Sequence, residues 1–229
     1  MAGIEENLKI VQKRITEAAL KTGRQPGDIT LVAVTKTVAS DLINQAIGCG
    51  VTVIGENRVQ EATQKYPDIS GPVQWHLIGH LQSNKAKKAV EMFSLIHSID
   101  SLNLAQEVGR RALEANKVQE ILLEVNTSGE PQKYGFGLEE VPNVLNGIKD
   151  IDGVKVMGLM TVGPLTEDDQ RVRKAFRRLR IIFQDAAKLG LPKVQMKHLS
   201  MGMSGDFETA IEEGSTMVRI GSAIFGVRG

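Results

Sequence analysis

Cysteine is almost absent from this 229-residue chain, which carries only Cys49. One thiol excludes an intramolecular disulfide and fits a reducing compartment. Its neighbourhood, Ala46-Ile47-Gly48-Cys49-Gly50, holds no base or cation, so Cys49 reads as a packing residue rather than a reactive thiol. Net charge is missing as well. Lys+Arg 28 against Asp+Glu 27 leaves +1, so no global field draws nucleic acid or a membrane surface. No apolar run is long enough to span a bilayer. Met1-Ala2-Gly3-Ile4-Glu5-Glu6 lacks the basic-then-apolar layout of a secretory signal. The expectation is a cytoplasmic protein with neither a membrane nor a nucleic-acid partner. Finally, no Gly-x-Gly-x-x-Gly follows the first strand pattern, which weakens a doubly wound open sheet.

What is present is alternation. Ile4, Leu8, Val11, Ile15 and Ala18 recur at helical spacing and predict a helix from Ile4 to Lys21. Strand patterns follow at Leu31–Lys36, Val51–Gly55, Val73–Leu77, Leu95–Ile99, Glu120–Val125, Val154–Leu159, Val194–Leu199 and Met217–Ile220. Helical patterns separate them. Ser40 is the expected N-cap of one helix, and Thr166 with Asp169 the capping box of the long helix that Gly190 ends. Eight such units, without a linker or a composition shift, predict an α/β fold: a single (β/α)8 TIM barrel over 1–229 with an additional N-terminal helix.

The strand ends carry the candidate chemistry. Leu31-Val32-Ala33-Val34-Thr35-Lys36 is a buried-strand pattern that closes on a lysine, at the end of a barrel where active sites form. Desolvated there, Lys36 could form a Schiff base; the alternative is a side chain that snorkels into water. The last two strands run into His198-Leu199-Ser200-Met201-Gly202-Met203-Ser204 and Arg219-Ile220-Gly221-Ser222. Barrels often bind phosphate in these two loops. Gly221 would bring backbone N–H groups close, and Ser200 and Ser222 would donate hydroxyls; ordinary turn-making is the alternative. Arg219 wants an acceptor, either a carboxylate or an aromatic ring nitrogen that it would hold unprotonated. His76 and His80 have zinc-like spacing, but a strand end and Gly79 separate them, so no metal site is expected. The basic stretch 171–180 carries an inward stripe of Val172, Phe176, Leu179 and Phe183, and reads as the solvated outer face of a barrel helix.

Ala33-Val34-Thr35-Lys36, Gly55-Glu56-Asn57, His76-Leu77-Ile78-Gly79-His80-Leu81-Gln82-Ser83-Asn84-Lys85, Gly158-Leu159-Met160-Thr161, Leu199-Ser200-Met201-Gly202-Met203-Ser204 and Arg219-Ile220-Gly221 together resemble the pyridoxal phosphate homeostasis proteins. The resemblance spans nearly the whole chain. It implies a fold type III pyridoxal phosphate protein, a barrel similar to the amino-terminal domain of alanine racemase. It implies pyridoxal 5'-phosphate held as an aldimine on Lys36, Asn57 lining the cofactor face, Arg219 at the pyridine nitrogen, and Ser200, Gly221 and Ser222 on the phosphate. The implied role is homeostasis of vitamin B6 and of amino and keto acid pools, by a monomer that also meets small amines or amino acids. A racemase or related enzyme is the competing reading, and a sugar-phosphate aldolase the third. Arg219 at the ring nitrogen would weaken the electron sink, and racemisation needs a second base. The two tyrosines, Tyr66 and Tyr134, are not evident substitutes, so the expectation is binding without catalysis.

Overall fold

The computed structural model describes residues 3–130 and 132–226; the ends of the expected span 1–229 lie outside the described residues. The strands are β1 (Thr30–Val34), β2 (Val53–Glu56), β3 (Gln74–Leu77), β4 (Leu95–Ile99), β5 (Gln119–Asn126), β6 (Phe136–Gly137), β7 (Val154–Met160), β8 (Val194–Ser200) and β9 (Met217–Ile220). All pair in parallel, in the order β4-β3-β2-β1-β9-β8-β7-β5, and β4 closes the ring by pairing with β5. This is the predicted eight-stranded barrel. β6 was not anticipated: two residues of the loop after β5 run back alongside it, pairing Val125 with Phe136.

The helices are α1 (Ile4–Lys21), α2 (Ser40–Gly48), α3 (Val59–Lys65), α4 (Ala86–Met92), α5 (Leu102–Glu114), α6 (Val141–Ile148), α7 (Asp169–Lys188), α8 (Phe207–Glu212) and α9 (Ser222–Phe225). In α1 the predicted stripe Ile4, Leu8, Val11, Ile15 and Ala18 is buried, while Lys9 and Glu5 pair on the solvent side. Two capping expectations are corrected. Ala39, with extended backbone, is the N-cap of α2, and Ser40 is already helical. Asp168 caps α7, accepting from the amides of Gln170 and Arg171, while Thr166 Oγ1 accepts from the amide of Asp168. The Asp carboxylate one residue before the helix reaches the first free amides better than a threonine three residues away. Gly190 ends α7 as expected, at φ 60. On α7 the basic face is partly paired: Arg173 and Arg177 bond Glu212 and Glu213 at and beyond the end of α8.

Strand periodicity divides the apolar residues into two layers. Outward residues such as Ala33, Ile54, Leu77, Ile96, Ile121 and Val218 pack against the helices. Inward residues Val32, Val53, Leu95, Leu122, Met157, Met160 and Met217 fill the barrel itself. Above this apolar plug the inward positions turn polar, with His76, His97, Glu124, Ser200 and Arg219 all buried. That change of chemistry along the barrel axis marks where the site begins.

At one point the barrel admits no side chain. Gly158, at φ 149, sits where the β7–β8 register shifts, and a Cβ there would lie 1.8 Å from the His198 carbonyl oxygen. Gly158→Ala should therefore cost about 3 kcal/mol or more, as over-packing and strained backbone do. Gly48, at the open end of α2, meets nothing within 4 Å, so Gly48→Ala should be neutral or mildly stabilising. Urea unfolding of the two variants checks the contrast, and equal melting of both would contradict it.

Candidate cofactor site

Lys36 follows the last residue of β1 by two positions and is exposed at the carboxyl end of the barrel. Two glutamates hold its chain, Glu56, which is buried, and Glu61, which is half-buried. Thr35 Oγ1 donates to Glu56 Oε1 at 2.7 Å, and the amide of Thr37 donates to Glu61 Oε1. Lys65 joins the two halves, donating to Glu56, to Glu61 and to the carbonyl of Thr35 at 2.6–2.9 Å. Burial raises the Glu56 carboxyl pKa, while Thr35 and Lys65 pull it back. Thr37 takes φ 58, rare for a β-branched residue, so this turn is set by its anchors rather than by preference.

A cavity of about 340 Å³ opens beside Lys36, lined also by Ser204, Gly205, Arg219, Gly221 and Ser222. Two cations and two hydroxyls face it, with no carboxylate in the lining. In its lining the Gly221 amide donates to Ser204 Oγ at 3.3 Å, and the neighbouring Ala223 amide donates to the same oxygen at 3.4 Å. Two N–H groups converging on one oxygen, in an electropositive pocket with a primary amine, suit a phosphorylated aldehyde.

Arg219 reaches this cavity from inside the barrel. It donates to Ser200 Oγ at 2.6 Å and to the Thr161 carbonyl at 2.8 Å. Burial lowers its pKa to about 10, with Glu124 and Asp206 opposing. Ser200 in turn meets His97 Nδ1 at 3.1 Å, and His97 Nε2 meets His76 Nδ1 at 3.1 Å. Burial drives both imidazoles down, His76 to about 3, so this chain is neutral at ordinary pH. His76 therefore points inward to His97, whereas His80 bonds Asp100 at the mouth, and the two rings have separate partners.

The structure thus brings Lys36, Arg219, Gly221 and Ser222 together and leaves Ser200 below them, fully buried. The serine of this loop that lines the cavity is Ser204, four residues later. The sequence pattern ends this strand at Leu199 and so puts Ser200 in the loop; in the structure Ser200 is the last residue of β8, and Ser204 lies beyond the strand end. Asn57 follows β2 by one residue, half-buried, and Gly79 packs so closely that a Cβ there would lie 2.4 Å from the Asn57 carbonyl oxygen. In the sequence Glu56 stands out only within the Gly55-Glu56-Asn57 motif, and Lys65 and His97 do not stand out, because their roles arise from contacts between separate elements.

The family described as alanine racemase, N-terminal domain, matches residues 3–229. The pyridoxal phosphate homeostasis protein of Aquifex aeolicus is 43% identical over 224 residues, covering 97% of each chain. That of Escherichia coli K12 is 36% identical over 233 residues, covering 100% of this chain and 98% of the other. The chain belongs to the pyridoxal phosphate homeostasis protein family. PipY of Synechococcus elongatus, solved with PLP bound, superposes on it with a TM-score of 0.81 at 33% identity, over 93% of this chain and all of that one. The alanine racemase of Corynebacterium glutamicum, at 17% identity and TM-score 0.75, shares the fold over 61% of its length. Among the described residues of this family member no helix is long and apolar enough to cross a membrane.

Glu124 supplies a test of the buried polar layer. Burial and the charge of Asp100 push its carboxyl up to about 7 from 4.5, against the pull of Arg219. Between those values the folded state holds a proton that the unfolded chain has lost, so stability from this group declines as pH rises towards 7. Glu124→Gln should be more stable than the parent by about 1–3 kcal/mol at about pH 8, and the gain should shrink at about pH 5, where both side chains are neutral. Urea titrations at the two pH values decide it; a variant weakened at the higher pH would refute the buried acid.

Proposed function

We propose that this protein binds pyridoxal 5'-phosphate through Lys36 and acts as a carrier in vitamin B6 homeostasis rather than as an amino-acid racemase. The observation that supports it most is the cavity in which Lys36, Arg219 and the amide pair around Ser204 meet. PLP bound to the homologous PipY supports the same reading. When bound, pyridoxal phosphate supplies an aldehyde for primary amines and a ring that takes up electrons. Lys36 offers the amine for covalent attachment. The amides of Gly221 and Ala223 with the hydroxyls of Ser204 and Ser222 offer donors to the phosphate, and Asn57, one residue beyond β2, is assigned to the cofactor face. Arg219 donates hydrogen bonds but accepts no proton, so a ring nitrogen meeting it stays unprotonated and the ring takes up charge poorly. That property favours holding the cofactor over turning amino acids into products.

Mixing the protein with pyridoxal phosphate and reducing with borohydride should leave a pyridoxyl group on Lys36, read by peptide mapping. A label on Lys85 or Lys133 instead would overturn the assignment. Ser204→Ala should weaken pyridoxal phosphate binding by up to about tenfold, the worth of one hydroxyl bond. Pyridoxal lacking the phosphate should bind much more weakly to the parent. Equal affinity for the two forms would remove the phosphate site.

The carrier reading is checked by incubating the loaded protein with each enantiomer of alanine in deuterated buffer. Chirality and Cα exchange should change far more slowly than about 1 s⁻¹, the low end of ordinary enzymes. Racemisation at or above that rate would make the protein an enzyme.

A further inference from the structure

Closure of the barrel by the β4–β5 pair places β3, β4 and β5 across the mouth from β8, β9 and β1. The second set carries the cavity of Lys36, Ser204, Gly221 and Ser222. The first set carries a different cluster. His80 lies in the loop after β3 and its Nδ1 sits 3.1 Å from Asp100 Oδ2, immediately after β4. Tyr134, from the loop after β5, stacks on the imidazole with ring centroids 4.0 Å apart and planes 15° from parallel. The neighbouring backbone is held firmly: Ser98 Oγ donates to the Gly79 carbonyl at 2.7 Å, and Gly79 abuts Asn57.

This arrangement determines what each ring nitrogen does. A carboxylate only accepts, so Nδ1 carries the proton and donates it to Asp100. Nε2 is then left with its lone pair, and it has no protein partner among the described residues. The stacked phenol restrains the ring from turning over. The His80 side chain is 37% exposed, so the ring meets solvent, whereas Asp100 at 14% is largely covered.

We infer that His80, oriented by Asp100 and Tyr134, is the proton acceptor for a primary ammonium ligand, an amino acid or amine, entering the half of the mouth opposite Lys36. The inference rests on the cofactor reading above for its purpose: an ammonium has no lone pair and must become an amine before it can take an aldehyde group away from a lysine. In that step the N–H proton of R-NH3⁺ moves to Nε2, giving R-NH2 and an imidazolium whose charge the Asp100 carboxylate balances. Glu124, behind Asp100 on β5, adds a second acidic group on this side of the barrel. The proton taken is the nitrogen's, not the Cα proton that racemisation requires, so the device fits a protein that passes its cofactor on.

The test has two arms. In the apoprotein, ¹⁵N spectra of its four histidines should show His80 as the Nδ1–H tautomer. Titration with L-alanine should move the His80 signals while those of the buried His76 and His97 stay in place. In the protein loaded with pyridoxal phosphate, L-alanine should release the cofactor, and His80→Gln should slow that release by about 10²-fold, the lower bound for a lost acid–base group. Asp100→Asn should slow it too and give a mixture of His80 tautomers. An Nε2–H tautomer in the parent, or release unchanged in both variants, would overturn the inference. Absence of a borohydride label on Lys36 would sink the cofactor reading alone, because the histidine arm uses no cofactor and decides the base by itself.

Discussion

A guanidinium inside a parallel barrel has lost its water, and Arg219 has to find acceptors there or destabilise the fold by several kcal/mol. It finds a hydroxyl and a carbonyl, Ser200 on β8 and Thr161 just beyond β7, with the carboxyls of Glu124 and Asp206 near enough to favour its charge. Much of the polar layer follows from that. Ser200 accepts from Arg219 and also meets His97, which bonds His76, so a line of side chains crosses the barrel from β9 to β3. Both histidines are kept neutral by burial, so the layer holds one buried cation rather than three.

The apolar plug beneath makes this layer possible. Val32, Val53, Leu95, Leu122, Met157 and Met217 fill the barrel beneath the polar groups. At the carboxyl end the two halves of the mouth differ in charge. The β8–β9–β1 side presents Lys36, Arg219 and backbone amides, and suits an anion. The β3–β4–β5 side presents Asp100 and the His80 imidazole, with Glu124 buried on β5, and suits a cation or its proton. A phosphorylated aldehyde on one side and an ammonium on the other would meet above the plug without competing for the same groups.

Much of the fold is legible in the sequence because each element carries its own period. The apolar stripe of α1 and the apolar runs of strands such as β1, β4 and β5 mark their burial, and Gly190 marks the end of α7. The two-residue β6 has no period to detect, since two residues cannot display one. The caps of α2 and α7 were displaced by a residue or more because several hydroxyl and carboxyl side chains near each start could serve, and backbone direction chooses among them.

In the site, sequence determined the residues whose chemistry is out of place in their local pattern: a lysine closing an apolar strand, an arginine within one, glycine and serine clustered after the last two. Position in the chain was enough to put Lys36, Arg219, Gly221 and Ser222 at one end of a barrel. Depth was decided only by tertiary structure. Whether Ser200 or Ser204 faces the cavity depends on where β8 stops and how far the β9 loop rises beside it, a relation between strands 17 residues apart that neither segment encodes alone. The same holds for the pairing of Asp100 with His80, which neither segment shows by itself. They meet because β3 and β4 pair side by side in the sheet, and the Asp100 carboxylate then fixes which ring nitrogen of the imidazole carries the proton.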